Sequence, residues 1–243
     1  MAVAHAVGPV LAPAPPGSPQ TLVGALCASA TKPDRGITFL SLGSKSFLSY
    51  AELLQNARDR LGTLQALGLQ RGDVVVMQLP ELREHLAWLW AAILGCMPPV
   101  NIALPAKYEA GSAVVRKLLG VVEDLEARHV LAVQSNARSL RELLSPVAPQ
   151  CVVHDVSSLL LQPGAEPQPP VAPEETCFYQ LTSGSTGKSK VIPECHSAII
   201  AHARHSAAHC NYSSLVCSIE LFLELVHLPH GSVGYPPIPD TRM

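Results

Sequence analysis

CFYQLTSGSTGKSK, Cys177 to Lys190, is the stretch on which the reading of this chain turns. Phe178, Tyr179, Gln180 and Leu181 favour extended backbone, and the chain then opens into a run of hydroxyls and glycines ending in two lysines. Gly184 and Gly187 permit backbone conformations that point successive N–H groups into one concavity. Thr182, Ser183, Ser185 and Thr186 add hydroxyl donors, and Lys188 and Lys190 add positive charge. So many donors with so few competing acceptors suit a polyphosphate. A solvated hairpin turn is built from the same Gly, Ser and Thr residues, but the density of the motif favours the phosphate cradle.

The residues after the loop decide which kind of cradle it is. TSGSTGKS differs from the Walker pattern GxxxxGK[ST] only in carrying Thr182 in place of the first Gly. A Walker loop runs directly into a helix. Here Val191 and Ile192 are β-branched and Pro193 lacks a backbone donor, so the chain is expected to leave the loop as a second strand. A P-loop nucleotide triphosphatase therefore ranks below a phosphate cradle that the chain leaves as a strand.

Upstream, strand and helix patterns alternate. VVVMQL (74–79) is a continuous apolar run of the kind buried on both faces of a parallel sheet. A helix over 81–95 carries Leu82, Leu86, Leu89 and Ile93, and Pro98-Pro99 ends it before an extended segment, Val100 to Leu104. A helix over 107–126, a strand His129–Val133, a helix Arg138–Leu144 and a strand Cys151–His154 follow. This order predicts an α/β fold with a largely parallel, doubly wound sheet flanked by helices. Nearer the start, residues 20–30 suit a short helix, and residues 37–40 and 47–48 suit two strands around a turn at 43–46. Ser49-Tyr50-Ala51-Glu52 has capping-box spacing, Leu53, Ala57, Leu61 and Leu64 form one helix face, and Gly68 closes that helix. The Pro-rich residues 162–174 form a connector to the opening strand.

The run LTSGSTGKSK resembles the phosphate-binding signature of the adenylate-forming, acyl-activating superfamily, approximately [YL]-T-S-G-[ST]-T-G-x-P-K-G. That superfamily includes acyl-CoA synthetases, fatty acyl-AMP ligases and nonribosomal peptide synthetase adenylation domains. Ser189 stands where the signature has Pro, and Val191 where it has Gly. LSYAELLQNARDRLGTLQALGLQRGDVVVMQLP and LWAAILGCMPPVNIALP are similar to the family's early helices and strands. The resemblance covers about residues 20–212, as an incomplete N-terminal domain of an acyl-adenylate-forming ligase. It implies attack of a carboxylate on the α-phosphate of ATP, then transfer of the acyl group to CoA or a phosphopantetheine carrier protein. Thr182, Ser183, Gly184, Ser185, Thr186, Gly187, Lys188 and Lys190 would bind the nucleotide. Lys190 would stabilise phosphate charge catalytically, with Mg²⁺ sharing that charge, and Lys188 falls at the signature's variable position.

No aromatic-Thr-Glu segment, ribose-binding Asp or small C-terminal domain with its Lys is legible downstream, and residues 213–243 match nothing expected there. The expectation is therefore a disordered leader at 1–19, a partial AMP-binding domain at 20–212 and an atypical tail at 213–243. Such a truncated product would not complete adenylation by itself. The alternative from another class is a noncatalytic nucleotide-binding or regulatory remnant.

Composition narrows the remaining classes. Apolar residues at 48% against charged residues at 15% provide a core and exclude a solvated, disordered chain. A net charge of -2 with few aromatics offers no nucleic-acid surface. Seven cysteines without a CxxC pair suit reduced thiols and a cytoplasmic setting. The first twenty residues lack the basic start of a secretory signal, and the apolar run Leu215–Leu228, broken by Glu220 and Glu224, is too short to span a bilayer. His202, His205 and His209 share a helix stripe that could hold zinc, but without a nearby carboxylate a polar face is the better reading, and no metal ligands are assigned. Trp88 and Trp90 read as packing residues, Glu123, Asp124 and Glu126 as a solvated helix end, and Ser183 lacks the GxSxG setting of a hydrolase nucleophile.

Overall fold

The structure, a computed structural model, describes residues 13–41, 43–109, 111–166, 171–182 and 190–209. Its helices, in chain order, are α1 (Leu22–Ala30), α2 (Tyr50–Ala66), α3 (Leu82–Leu94), α4 (Ala113–Asp124), α5 (Gln134–Leu144) and α6 (His196–His209). Strands β1 (Gly36–Ser41) and β2 (Ser44–Ser49) form a separate antiparallel ribbon. Strands β3 (Val75–Gln78), β4 (Pro99–Asn101), β5 (His129–Ala132), β6 (Val152–Asp155), β7 (Thr176–Thr182) and β8 (Lys190–Cys195) form one sheet in the order β6-β5-β3-β4-β7-β8. Every pairing in that sheet is parallel except β7 with β8. The fold is thus α/β with a mostly parallel sheet flanked by helices.

Period-two alternation divides the core into two layers. In β3 all four residues are buried. Val75 and Met77 pack with residues of α1, α2, α3 and α6 on one face, while Val76 packs with α4 and α5 on the other. Leu53, Ala57, Leu61 and Leu64 are fully buried on α2, as their spacing predicts. Ser49 and Glu52 close a capping box at the start of α2, and Gly68 takes a positive φ of 89° at its end. Arg60 reaches from α2 to the Glu84 carboxylate at 2.7 and 2.8 Å and lies over the ring of Trp88. Trp88 and Trp90 are buried and pack as read.

Several boundaries differ from the sequence expectation. Ser44, Lys45 and Ser46 belong to strand β2, with Ser41 already paired to Ser44, so the turn is tighter than residues 43–46. An exposed ribbon tolerates polar residues on both strands, which hides the strand from an apolar pattern. Helix α4 starts at Ala113 and not near 107, because Ser112 Oγ accepts the Val115 N–H at 3.2 Å and Tyr108 is engaged elsewhere. Strand β4 begins at Pro99, opposite Val75, and stops at Asn101. Pro99 is tolerated because Val75 N–H donates to the Pro98 carbonyl, so that partner needs no donor from the ring. Helix α5 begins four residues earlier than expected, at Gln134, where Asn136 Oδ1 accepts the Val133 N–H at 2.9 Å.

The Pro-rich segment does more than connect. Gln162 N–H donates to Thr63 Oγ1, Ala165 N–H donates to the Arg58 carbonyl, and Arg58 pairs with Glu166. This strap crosses α2 at Gly62, where a Cβ would stand 2.6 Å from the Pro163 carbonyl oxygen.

Candidate functional site

The carboxyl ends of β3, β4, β5, β6 and β7 all point to one edge of the sheet, because these strands are parallel. In doubly wound sheets that edge is where ligands bind. Strand β7 delivers Thr182 there, and β8 leaves from Lys190, which is paired directly with Thr182. The chain therefore leaves the glycine-rich stretch as an antiparallel strand, as the β-branched Val191 and Ile192 predict, and not as the helix of a Walker loop. Pro193 sits on this edge strand, where its missing N–H faces no ladder partner beyond β7. Ser183, Gly184, Ser185, Thr186, Gly187 and Lys188 lie outside the described residues.

The root of the hairpin is rigidly held. Cys177, Phe178 and Leu181 are buried, and the Cys177 thiol donates to the Glu194 carbonyl at 3.1 Å. Burial pushes that thiol up to about 12, so it stays protonated and unreactive. Thr182 and Lys190 share the face of Phe178, two strand periods from a fixed anchor, and Lys190 is exposed. At the amino end, Arg71 pairs with Glu175, the Glu175 carbonyl accepts His196 N–H, and His196 Nδ1 accepts Leu22 N–H at 3.2 Å. The His196 pKa is lowered by burial, in keeping with a neutral ring that accepts at Nδ1.

Beside the hairpin, a closed set of neutral polar side chains that sequence reading did not single out fills the carboxyl ends of β3 and β4. Gln78, fully buried, donates through Nε2 to the Ile102 and Ala103 carbonyls at 2.9 and 3.0 Å. Its Oε1 accepts the Tyr108 hydroxyl at 2.6 Å. Asn136 Nδ2 donates to the Gln78 carbonyl at 2.9 Å and to the Tyr108 oxygen at 3.1 Å. Burial raises the Tyr108 pKa, so the phenol remains a donor. Nearby, His85 Nε2 lies 2.9 Å from Asn101 Oδ1, and burial lowers the His85 pKa. The one legible signal was the Gln within VVVMQL, a polar residue in a run otherwise buried on both faces.

The histidine stripe is not brought into a metal site. His202, His205 and His209 are exposed on α6, and His205 Nδ1 faces the Ala201 carbonyl at 2.8 Å. Among the described residues no group of three potential ligands is suited to a metal ion, and no helix is long and apolar enough to cross a membrane.

Comparison with known proteins agrees with this geometry. The family described as AMP-binding enzyme matches residues 28–242. The chain is 29% identical over 206 residues to pyochelin synthase PchD of Pseudomonas aeruginosa, covering 79% of this chain and 36% of that protein. It is 30% identical over 179 residues to a salicyl-AMP ligase / salicyl-S-ArCP synthetase of Mycobacterium tuberculosis, covering 69% of this chain and 31% of the other. Among solved structures, the adenylation domain of a keto acid-selecting NRPS module bound to keto acyl adenylate superposes with a TM-score of 0.72 at 27% identity. That match covers 81% of this chain and 37% of the other. The chain thus spans little more than a third, at most, of the length of these relatives. A family match across most of the sequence, joined to the sheet and hairpin described above, places the chain in the AMP-binding enzyme family, within the adenylate-forming superfamily.

Proposed function

We propose that this chain takes part in ATP-dependent carboxylate activation, with the Thr182–Lys190 hairpin mouth as its nucleotide-phosphate site. In that reaction a carboxylate oxygen forms a bond to the α-phosphorus of ATP. The bond from that phosphorus to the bridging oxygen breaks, and pyrophosphate leaves with the electron pair. The observation that carries the reading is the direct pairing of Thr182 with Lys190 at the carboxyl edge of a mostly parallel sheet. It sets a hydroxyl and an ammonium side by side at the two ends of the signature stretch. Lys190 would hold the β- and γ-phosphates through charge-assisted hydrogen bonds, helped by the hydroxyls of Thr182, Ser183, Ser185 and Thr186. Oxygen donors of this kind, together with phosphate oxygens, suit Mg²⁺, which would share the phosphate charge. Gly184 and Gly187 would let backbone N–H groups converge, and Lys188 would add charge at the rim.

The acyl acceptor in this reading is CoA or a phosphopantetheine carrier protein, and the salicyl-AMP ligase / salicyl-S-ArCP synthetase and the adenylation domain bound to keto acyl adenylate support an aryl or acyl carboxylate as substrate class. The test is calorimetric titration of the purified 243-residue chain with ATP and Mg²⁺, followed by pyrophosphate exchange with a panel of aryl and aliphatic acids. Binding with carboxylate-dependent exchange supports activation. Binding without exchange favours the noncatalytic nucleotide-binding reading, and no binding removes both.

A further inference from the structure

The connections that follow β3 and β4 run to opposite faces of the sheet. Helix α3 packs with the layer containing Val75 and Met77, and α4 packs with the layer containing Val76. β4 lies to one side of β3 and β5 to the other. The carboxyl ends of β3 and β4 therefore flank the topological switch point, the crevice that in doubly wound sheets receives the ligand. Here the crevice is filled by the chain itself. Gln78 spans it from the end of β3 to the two carbonyls that follow β4, and Tyr108 folds back seven residues after its strand to meet the Gln78 amide. Asn136, at the start of α5, ties both to the end of β5.

The three side chains satisfy one another. Both Gln78 amide hydrogens, both Asn136 amide hydrogens, both side-chain carbonyl oxygens and the phenol are engaged. A buried network so fully satisfied rigidifies what it joins. What it joins is the segment from Ile102 to Tyr108, which springs from β4, the neighbour of β7. Counting along the parallel pair from Val100 opposite Tyr179, Ile102 stands level with Leu181, at the mouth of the hairpin.

We infer that Gln78, Tyr108 and Asn136 are positioning residues: they close the switch-point crevice and fix the 102–108 segment as the wall beside the Thr182–Lys190 mouth, so that nucleotide binds over the β7–β8 hairpin. This rests on the nucleotide reading above. A rigid wall lowers the ordering cost of binding, so loosening it weakens affinity without touching a phosphate contact.

The test uses the whole chain and three variants. Tyr108→Phe keeps the ring and deletes the shared hydroxyl. Asn136→Ala deletes both donors, and with them the acceptor for Val133 N–H, without introducing a charge. Val122→Ala thins the apolar layer that Tyr108 packs against without deleting any hydrogen bond of the Gln78–Tyr108–Asn136 clamp, and serves as the stability control. Amide hydrogen exchange of residues 102–109, read against strands β3 and β5, reports local opening, and calorimetry reports the Kd for ATP. Tyr108→Phe and Asn136→Ala each delete at least two hydrogen bonds but touch no phosphate contact, so each should accelerate exchange in 102–109 and weaken ATP binding only about 2- to 10-fold, with β3 and β5 still protected. Val122→Ala should lower the melting temperature and leave the Kd unchanged. Accelerated exchange with wild-type Kd, unaltered exchange, or equal weakening by Val122→Ala would each overturn the inference. Failure of the wild-type chain to bind ATP is a different result: it removes the nucleotide reading, and the inference with it.

Discussion

The two ends of the sheet are built from different chemistry. Around the amino ends of β5 and β7 and along the edge strand β6, charge and titration dominate: Arg71 pairs with Glu175, His129 lies 3.8 Å from Asp73, and His129 Nδ1 meets His154 Nε2 at 3.1 Å with their rings stacked. At the carboxyl edge the crevice between β3 and β4 is filled by two amides and a phenol, all neutral. If the hairpin mouth holds the phosphates as proposed, an ionised carboxylate in that crevice would repel them, and a buried lysine there would compete with Lys190 for them. Neutral hydrogen-bonding groups order the edge while leaving the field to the hairpin mouth.

The contrast can be broken by experiment. The largest stability change should come from the clamp. Gln78→Leu strands the buried Ile102 carbonyl and deprives the half-buried Tyr108 hydroxyl of its acceptor, and should lower unfolding free energy by about 3 kcal/mol, measured by urea denaturation. A loss no greater than that of a surface pair would erase the distinction between the two ends. Next, Lys190→Ala should weaken ATP binding about 10- to 100-fold, the worth of charge-assisted hydrogen bonds, with no change in melting temperature because the side chain is exposed. Equal affinity would move the phosphate site away from the hairpin mouth.

The third prediction concerns pH. Burial, with the His129 and Arg141 charges, pulls His154 from 6.5 down to about 4, and burial also lowers His129. Both rings are held neutral in the folded protein, while the unfolded chain takes up protons near 6.5. Their contribution is therefore fully present above pH 6.5 and is lost as pH falls from 6.5 toward 4. The melting temperature should drop over that window, and His154→Gln should flatten the drop. An unchanged slope in that variant would assign the acid sensitivity elsewhere. The smallest effect belongs to Arg71→Ala, where a partly exposed pair with Glu175 should contribute no more than about 1 kcal/mol, with added salt erasing most of it.

Much of the scaffold was legible because it follows local rules. VVVMQL is buried because a central parallel strand has helices on both faces, and the α2 stripe of Leu53, Ala57, Leu61 and Leu64 obeys the helical period. The strand after the loop followed from Val191, Ile192 and Pro193. The clamp was not legible, since Gln78, Tyr108 and Asn136 are far apart in sequence and polar residues carry no periodic signal of burial. Tyr108 also explains why a helix expected from about 107 begins only at Ala113: its hydroxyl is committed to Gln78, and Ser112 provides the cap.

By itself the sequence determined the alternation of strands and helices, the capping box at Ser49 and the glycine- and hydroxyl-rich signature ending at Lys190, because each depends on residues within a few positions of one another. Only the tertiary structure decided the strand order, the direct pairing of Thr182 with Lys190 and the filling of the switch-point crevice. Those features depend on which strands lie side by side, and that is set by the burial of two apolar layers against one sheet and not by any single stretch of chain.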